Sequence, residues 1–163
     1  MMHDVQIRAI DQVDRDGLVS FFQTRWGSSQ MVYGQTVFDC HLLPGYIATR
    51  QDQVVGVITY EMQTDQCQIV SLDSLEEGQG IGTALLHAVE KTARQQGADR
   101  VWLLTTNDNL NALRYYQKRS YELVQIHRRA VEQARQIKPE IPLVGDEGIP
   151  LRDEIELEKM LHR

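Results

Sequence analysis

The chain has 163 residues, of which 42% are hydrophobic and 25% charged, values typical of one soluble globular domain. They exclude a disordered, collagen-like or disulfide-rich chain, and no apolar run approaches the roughly 20 residues of a membrane span. The net charge of −6 argues against a nucleic-acid partner, and the absence of an apolar leader makes us expect a cytoplasmic protein.

The hydrophobic pattern of the first half predicts mainly strands. A strand at residues 5–9 precedes a helix that ends at Gly27. Residues 28–34 favour a loop or a short helix, and Pro44-Gly45 favours a turn. A meander of three strands rich in β-branched residues then follows, at residues 46–50, 54–62 and 67–72.

The second half returns to a helical period. We expect a helix from Gly82 to Gly97, a buried strand at 100–105, a helix at 109–119 and a strand at 121–126. The C-terminal part, 127–163, predicts a helix, a loop rich in Pro and Gly, and a last strand. That strand alternates apolar residues with glutamates, which we expect to be exposed and to protect a sheet edge: Glu154, Glu156 and Glu158.

Glycines cluster between the third meander strand and the next helix, in Glu77-Gly78-Gln79-Gly80-Ile81-Gly82. Glycines let the backbone approach a ligand, and a helix N-terminus offers unpaired N–H groups and a partial positive charge. This combination predicts a phosphate or pyrophosphate site. The loop lacks the lysine of a P-loop, and Thr83 stands where the dinucleotide fingerprint needs its third glycine.

A second motif, after the buried strand, contains Asn109, Ala112, Tyr116, Ser120 and Tyr121. In this order, the two motifs resemble the Arg/Gln-x-x-Gly-x-Gly/Ala loop and the Asn-x-x-Ala-x-x-x-Tyr-x-x-x-Gly-Phe segment of the GNAT acetyltransferase superfamily. The first departs from the family pattern at Glu77, which places a carboxylate near the pyrophosphate. The second departs from it at Ser120 and Tyr121, which replace Gly and Phe.

The resemblance implies an α/β (α+β) fold in one domain, residues 1–163, with a donor-site core at 46–126. The expected sheet is mixed, mostly antiparallel and splayed, with about seven strands and about four helices. The implied reaction is acetyl transfer from acetyl-CoA to a primary amine, by direct attack in a ternary complex. The acceptor, a small molecule or a protein amine, stays open, as does the choice between monomer and homodimer.

The resemblance also assigns residues to the donor. Backbone groups of Ser71, Leu72 and Asp73 would pair with the pantetheine chain like an added strand. The pyrophosphate would bind the N–H groups of Gly78, Gln79, Gly80, Gly82 and Thr83. Asn109 would hydrogen-bond the pantetheine arm, although an asparagine here can equally cap the helix. The remaining contacts of the implied donor site are Ala112 and Tyr116.

For catalysis, Tyr116 is the candidate general acid that protonates the departing thiolate, although it could simply pack the helix on the sheet. The general base is left open among the three carboxylates and one histidine near the central strands: Asp73, Glu61, Glu76 and His41.

An acceptor pocket is expected from residues 24–44 and 127–151, with Trp26 as an apolar wall and Ser28 as a hydrogen-bond partner. No pattern of metal ligands is present. The alternative function is a module that binds acyl-CoA without turnover, as a sensor or regulatory subunit; Glu77 and the open choice of base favour it.

Overall fold

The computed structural model describes residues 4–161. The strands are β1 (Val5–Ala9), β2 (Gln30–Tyr33), β3 (Thr36–Asp39), β4 (Gly45–Arg50), β5 (Gln53–Met62), β6 (Gln66–Ser74), β7 (Arg100–Thr106), β8 (Glu122–His127) and β9 (Glu154–Met160). The helices are α1 (Arg15–Trp26), α2 (Ile81–Gln95), α3 (Leu110–Gln117) and α4 (Ala130–Ile137). Over the described residues, seven strands form one sheet in the order β1-β4-β5-β6-β7-β9-β8, which confirms the predicted fold class.

Two hydrophobic clusters lie on opposite faces of this sheet. On one face, α2 presents buried side chains at helical spacing, among them Leu85, Leu86 and Val89. On the other, α1 packs Leu18 and Phe22 against β4, β5 and β6. Both helices therefore stand beside β6, whose C-terminal half leads into the glycine-rich loop.

The strands β6 and β7 are the one parallel pair of the described sheet, and they pair over a short length. Residues Gln66–Ile69 of β6 register with Arg100–Leu103 of β7, and the pairing stops there. Beyond this point β6 stays paired with β5 through Ser74, and β7 stays paired with β9. The two strands consequently diverge, and the backbone of residues 70–74 faces the opening without a strand partner on that side.

A bulge marks the point where the strands separate. On β5, Thr59 and Tyr60 are opposite Ser71 and Ile69, so Val70 is an extra residue of β6. Its carbonyl oxygen accepts a hydrogen bond of 2.9 Å from the Tyr33 hydroxyl. The side chain of Tyr33, which is distant in sequence, therefore supplies the hydrogen bond that the Val70 carbonyl loses from the β-ladder at the bulge.

Residues 30–39 form the β2–β3 hairpin, so the prediction of a loop or short helix at 28–34 is wrong for residues 30–33. The hairpin is held at both ends by distant residues. Gly34 N donates to Glu154 Oε2 at 2.8 Å, and Lys138 Nζ donates to Gln30 O at 3.0 Å. These bonds place the hairpin between the sheet and α4.

The prediction of an exposed edge for the last strand is also wrong. β9 lies inside the sheet between β7 and β8, and Glu154 and Glu156 are 3% and 8% exposed. Both carboxylates have partners from remote parts of the chain, since Glu154 binds the hairpin and Glu156 lies 2.8 Å from the Arg100 guanidinium. Within residues 4–161, no helix has the length and apolar character that crossing a membrane requires.

Candidate active site

A cavity of about 550 Å³ lies at the mouth of the opening beside β6. Its walls come from the end of β6, the glycine-rich loop, the first turn of α2 and one side of α3, with Arg25 from α1. The residues that line it are Arg25, Leu72, Asp73, Ser74, Glu76, Glu77, Gly78, Gly80, Ile81, Gly82, Thr83, Asn111, Ala112, Tyr115, Tyr116 and Arg119. This volume lies in the range of ligand-binding pockets.

The glycine-rich loop ends in an open helix N-terminus. Gly80 is the N-cap of α2, has a left-handed backbone (φ 80°) and provides no side-chain cap. The N–H groups of the first turn, Ile81 to Thr83, therefore have no acceptor within the helix. The loop backbone at Gly78 is also left-handed (φ 76°), a conformation that favours glycine. The arrangement presents several backbone donors and the positive end of the helix dipole to the cavity.

Asp73 lies at the end of β6 and is 8% exposed. Its Oδ1 accepts a hydrogen bond of 3.2 Å from Trp26 Nε1 and lies 3.5 Å from Arg25 Nε. Its Oδ2 is buried without a hydrogen-bond partner among the described residues. Burial raises the pKa of this carboxyl above its ordinary value of 3.8, although Trp26 and Arg25 oppose the shift. Asp73 is therefore a stronger proton acceptor than an exposed aspartate.

Tyr116 is the buried residue of α3 and lines the cavity. The rings of Tyr115 and Tyr121 pack edge-on against it, at centroid distances of 5.2 and 5.5 Å. Burial raises the pKa of its phenol above 10, and the neighbouring Tyr115 and the negative charge of Asp73 add to the shift. The hydroxyl therefore stays protonated through neutral and mildly alkaline pH, which the donor in a proton transfer requires.

The other candidate bases are less well placed. Glu76 lines the cavity, but Arg50 Nη2 holds its carboxylate at 2.7 Å. Glu61 lies outside the cavity lining and accepts a hydrogen bond of 3.3 Å from Gln63 Nε2. His41 lies in a short 3-10 turn after β3, also outside the lining. Of the four candidates, only Asp73 and Glu76 line the cavity, and the ion pair of Asp73 with Arg25 is longer, 3.5 Å, than that of Glu76 with Arg50, 2.7 Å.

The predicted donor-site residues divide into two groups. Eight line the cavity: Leu72, Asp73, Gly78, Gly80, Gly82, Thr83, Ala112 and Tyr116. Three lie outside the lining. Ser71 is buried and shares a hydrogen bond of 2.6 Å with the Thr59 hydroxyl, and Gln79 is half-buried in the loop. Asn109 is the N-cap of α3, where its Oδ1 accepts from Ala112 N at 3.0 Å.

The two predicted acceptor-site residues support the cavity from outside its lining. Trp26 stacks on Phe22 at 4.6 Å and holds Asp73 through its indole N–H. Ser28 Oγ accepts from Gln30 N at 3.0 Å and so fixes the start of β2. Residues 127–151 do not line this cavity, because their proline- and glycine-rich loop is bound elsewhere, with Asp146 N donating to Asp108 Oδ2 at 2.9 Å.

The cysteines lie away from the cavity. Cys40 and Cys67 are buried and free, and burial raises the pKa of both thiols to about 12. Neither is therefore a reactive thiolate at neutral pH. Among residues 4–161, no group of three or more His, Cys, Asp or Glu side chains is arranged to hold a metal ion.

Arg25 falls within residues 24–44, where an acceptor pocket is expected, but sequence reasoning misses two large side chains of the cavity: Tyr115 and Arg119. Tyr115 lies in the last turn of α3, and Arg119 lies two residues after the end of that helix. The Arg119 guanidinium lies 3.6 Å above the Tyr115 ring. The four-residue spacing of these two residues is the signal that indicates such a pair on one helix face.

A sequence model of the acetyltransferase (GNAT) family matches residues 15–121, about two thirds of the chain. The chain belongs to the GNAT acetyltransferase family. It is therefore an acyltransferase, and the matched region contains the β6–α2 loop and α3. The chain is 49% identical over 151 residues to the uncharacterized protein YxbD of Bacillus subtilis (strain 168), covering 92% of this chain and 95% of YxbD.

The GNAT fold is also seen in solved structures that are similar to this chain. One is a Bacillus subtilis acetyltransferase in complex with CoA, with a TM-score of 0.68, 18% identity, and coverage of 97% of this chain and 99% of that one. Another is a GNAT acetyltransferase from Elizabethkingia anophelis with acetyl-CoA bound, with a TM-score of 0.68, 19% identity, and coverage of 98% and 99%.

Proposed function

We propose that this GNAT protein transfers an acetyl group from acetyl-CoA to a primary amine, by direct attack in a ternary complex. The observation that carries the proposal is one cavity that combines an unpaired strand backbone, an open helix N-terminus, a protonated tyrosine and a buried carboxylate. The similar structures that hold CoA and acetyl-CoA support the choice of donor.

The donor site lies within residues 46–126. Backbone groups at Ser71, Leu72 and Asp73 pair with the pantetheine chain, because this stretch of β6 lacks a strand partner on the cavity side. The N–H groups of the loop and of the first turn of α2 bind the pyrophosphate. An N–H near Leu72 donates to the thioester carbonyl and stabilises the negative charge that develops there.

The chemical step forms a C–N bond and breaks the C–S bond of the thioester. The neutral amine attacks the carbonyl carbon, and the tetrahedral intermediate expels the CoA thiolate. Tyr116 donates its proton to the thiolate sulfur and is reprotonated from solvent. The nitrogen loses its extra proton to Asp73, which releases it to solvent in turn. No covalent bond to the enzyme forms, in keeping with the high pKa of both cysteines.

Asp73 is the proposed proton acceptor because, of the two candidates that line the cavity, it has the longer ion pair, 3.5 Å to Arg25 against 2.7 Å between Glu76 and Arg50. Its raised pKa brings its basicity closer to that needed for an ammonium group. The contact with Trp26 fixes Oδ1, and the buried Oδ2 has no hydrogen-bond partner among the described residues, so its capacity to accept a proton is not used within the protein.

The experiment that tests the function is a calorimetric titration with acetyl-CoA, with NADH and ATP as controls, followed by turnover with a panel of small amines and peptides. Selective binding and turnover support the proposal. Selective binding without turnover on any amine supports the alternative, an acyl-CoA-binding sensor or regulatory module. The exposed Glu77 carboxylate at the cavity wall favours this alternative, since it repels phosphate.

The same panel addresses the acceptor class. If residues 139–151 closed over the cavity, the resulting pocket would favour a small amine as acceptor. This segment does not line the cavity. It is fastened instead to α4 and to the β7–α3 turn, for example by Arg135 Nη2 to Leu151 O and by Asn107 Nδ2 to Pro150 O. The condition that would favour a small amine is therefore not met at this cavity.

A further inference from the structure

The glycine-rich loop proposed to bind the pyrophosphate lacks a basic side chain at its Gln/Arg position. This position is occupied by Glu77, an exposed carboxylate that lines the cavity. Two cationic side chains also line that cavity, Arg25 and Arg119. Arg25 lies 3.5 Å from the buried Asp73 carboxylate, so its charge is already offset. Arg119 is the remaining positive charge next to the loop.

Arg119 is held in a fixed position by its neighbours. Its Nε donates to Thr83 Oγ1 at 2.9 Å, and its Nη1 donates to Tyr115 O at 2.8 Å. The guanidinium plane stacks on the Tyr115 ring at 3.6 Å, and the Tyr115 hydroxyl itself lies 3.2 Å from Thr83 Oγ1. These contacts restrict the rotamers of a long side chain that is normally mobile, so little entropy is lost when it binds a ligand.

The charge of Arg119 has no counterion among the described residues. Throughout residues 4–161, no carboxylate forms a salt bridge with it. The two hydrogen bonds use two of its five N–H donors, which leaves three for a ligand. A half-buried guanidinium with free donors at a cavity wall is a site for a planar or tetrahedral oxyanion.

The position of Arg119 is set against the first turn of α2. Thr83, its hydrogen-bond partner, belongs to that turn, whose N–H groups are open. A Cβ at Gly82 would lie 3.0 Å from the Tyr115 hydroxyl, so the glycine allows the Tyr115–Arg119 pair to approach the helix end. A cation beside the positive end of a helix dipole is unfavourable unless an anion binds between them.

We propose that Arg119 is a phosphate-binding residue for the pyrophosphate of the acyl-CoA donor, and that it replaces the basic charge missing at Glu77. The inference rests on the proposed function, because it assumes a CoA thioester as donor. The cationic contact to the pyrophosphate then comes from Arg119, just after α3, rather than from the loop. Hydrogen bonds to Thr83 and Tyr115 orient the Arg119 side chain. The 3′-phosphate of CoA is the other phosphate within the same ligand, and the experiment separates the two.

The experiment compares Arg119→Gln with wild type and with Arg114→Gln, a matched control. Arg114 is an exposed residue of α3, lies outside the cavity lining, and its Nη1 donates to Asn111 Oδ1 at 3.2 Å. Dissociation constants are measured by titration with acetyl-CoA, acetyl-dephospho-CoA, which lacks the 3′-phosphate, and acetyl-pantetheine, which lacks all phosphates.

The expected result is a 10- to 100-fold weaker binding of both phosphate-bearing donors, roughly the worth of a charged hydrogen bond. Acetyl-pantetheine should bind wild type and Arg119→Gln equally, and Arg114→Gln should match wild type throughout. If Arg119→Gln weakens the binding of acetyl-pantetheine as much as that of the phosphate-bearing donors, the inference is overturned, because Arg119 would then have a structural role. If Arg119→Gln weakens the binding of acetyl-CoA but not of acetyl-dephospho-CoA, the pyrophosphate assignment is overturned and Arg119 binds the 3′-phosphate instead.

A second variant keeps the test valid if Arg119→Gln does not fold. Arg119→Lys retains the charge but not the bidentate fork, and we expect it to recover part of the affinity for acetyl-CoA, with acetyl-pantetheine again unaffected. No recovery in a folded lysine variant counts against the inference. If the wild-type protein fails to bind acetyl-CoA, the proposed function itself is overturned. If wild type binds acetyl-CoA and Arg119→Gln binds it with the same affinity, only the role of Arg119 is overturned.

Discussion

The indole N–H of Trp26 donates a hydrogen bond of 3.2 Å to Asp73 Oδ1, which joins the last residue of α1 to the diverging end of β6. The indole also stacks on the buried Phe22, so it is anchored in the hydrophobic cluster under α1. Trp26 therefore binds the carboxylate from outside the cavity lining, and its expected role as an apolar wall of an acceptor pocket stays a prediction.

Replacing Asp73 by Asn is expected to reduce turnover about 100-fold, the lower end of the contribution of a general base. The same change should raise stability at pH 7. Burial raises the pKa of Asp73, so the folded state holds this proton more tightly than the unfolded state does. Wild-type stability consequently falls as pH rises from the unfolded value of 3.8 through the higher folded value, whereas Asn carries no charge at any pH.

Thermal denaturation of the Asp73→Asn variant as a function of pH checks this sign. The variant should have the higher Tm at pH 7, and the difference should close as the pH approaches 3.8. Asp65→Asn, which changes an exposed carboxylate between β5 and β6, should affect neither turnover nor Tm. Full activity of Asp73→Asn would remove Asp73 from the proposed mechanism.

Replacing Tyr116 by Phe is expected to lower kcat about 100-fold or more, because the departing thiolate loses its proton donor. The ring remains, so its packing on Tyr121 and the binding of acetyl-CoA should be preserved. Stopped-time assays from pH 7 to 9 and a calorimetric titration measure the two effects. Tyr60→Phe, at a buried tyrosine of β5 outside the cavity lining, is the control. An unchanged rate would mean that Tyr116 only packs α3 on the sheet.

Replacing Gly80 by Asp is expected to abolish acetyl-CoA binding while the chain remains folded. The new carboxylate would stand at the N-cap of α2, where it occupies the open N–H groups and repels phosphate. Gly97→Asp is a matched control, because Gly97 follows the other end of α2 with nearly the same backbone angle (φ 81° against 80°). Retained affinity in a folded Gly80→Asp variant would place the donor elsewhere.

The buried Glu156 predicts a pH dependence of the opposite sign. Burial alone would raise the pKa of Glu156, but hydrogen bonds and charge from Arg100 and His127 outweigh it, so the pKa is lowered overall. The ionised group therefore stabilises the fold above the unfolded value of 4.5, and this stabilisation is lost as pH falls through the lower folded value. Glu156→Gln should cost roughly 1.5–3 kcal/mol at pH 7.

Urea denaturation of Glu156→Gln at pH 7 and at pH 4 measures this loss, which should shrink at the lower pH. Glu158→Gln is the comparison, because Glu158 binds the same Arg100 nitrogen at 2.9 Å with a more exposed side chain, 28% against 10%. It should cost less. Equal losses for the two variants would show that burial of Glu156 is irrelevant to its contribution.

Two glycines make a contrasting pair for stability. A Cβ at Gly45 would lie 2.0 Å from the backbone oxygen of Ile58, so Gly45→Ala should prevent folding or cost at least about 3 kcal/mol. A Cβ at Gly17, in α1, meets no atom within 4 Å, so Gly17→Ala should raise the free energy of unfolding by roughly 0.5–1 kcal/mol. Urea denaturation of both variants tests these opposite signs.

Most of the element order could be predicted, because it is encoded locally. The buried positions of α2 recur at helical spacing, and the meander strands are short apolar runs separated by polar turns. The two glycine and tyrosine motifs likewise indicate the loop and the helix that line the cavity. These features need no knowledge of distant residues.

What the sequence does not predict depends on long-range partners. Met31, Val32 and Tyr33 are all half-buried, so β2 lacks the alternation that marks a strand. Its position depends instead on Tyr33 bonding Val70, 37 residues away. The Glu154 carboxylate is buried because Gly34, 120 residues away, donates to it. Such separations leave no local signal.

The divergence of β6 from β7 gives this sheet a third edge. β1 and β8 are its outer edges, and residues 70–74 form an internal one. Unpaired strand groups on an outer edge invite pairing with other chains and aggregation. Here the first turn of α2 and one side of α3 line a cavity of about 550 Å³ beside residues 72–74, with room for an extended ligand but not for a second sheet. Removing α3 would therefore expose this internal edge to pairing with other chains.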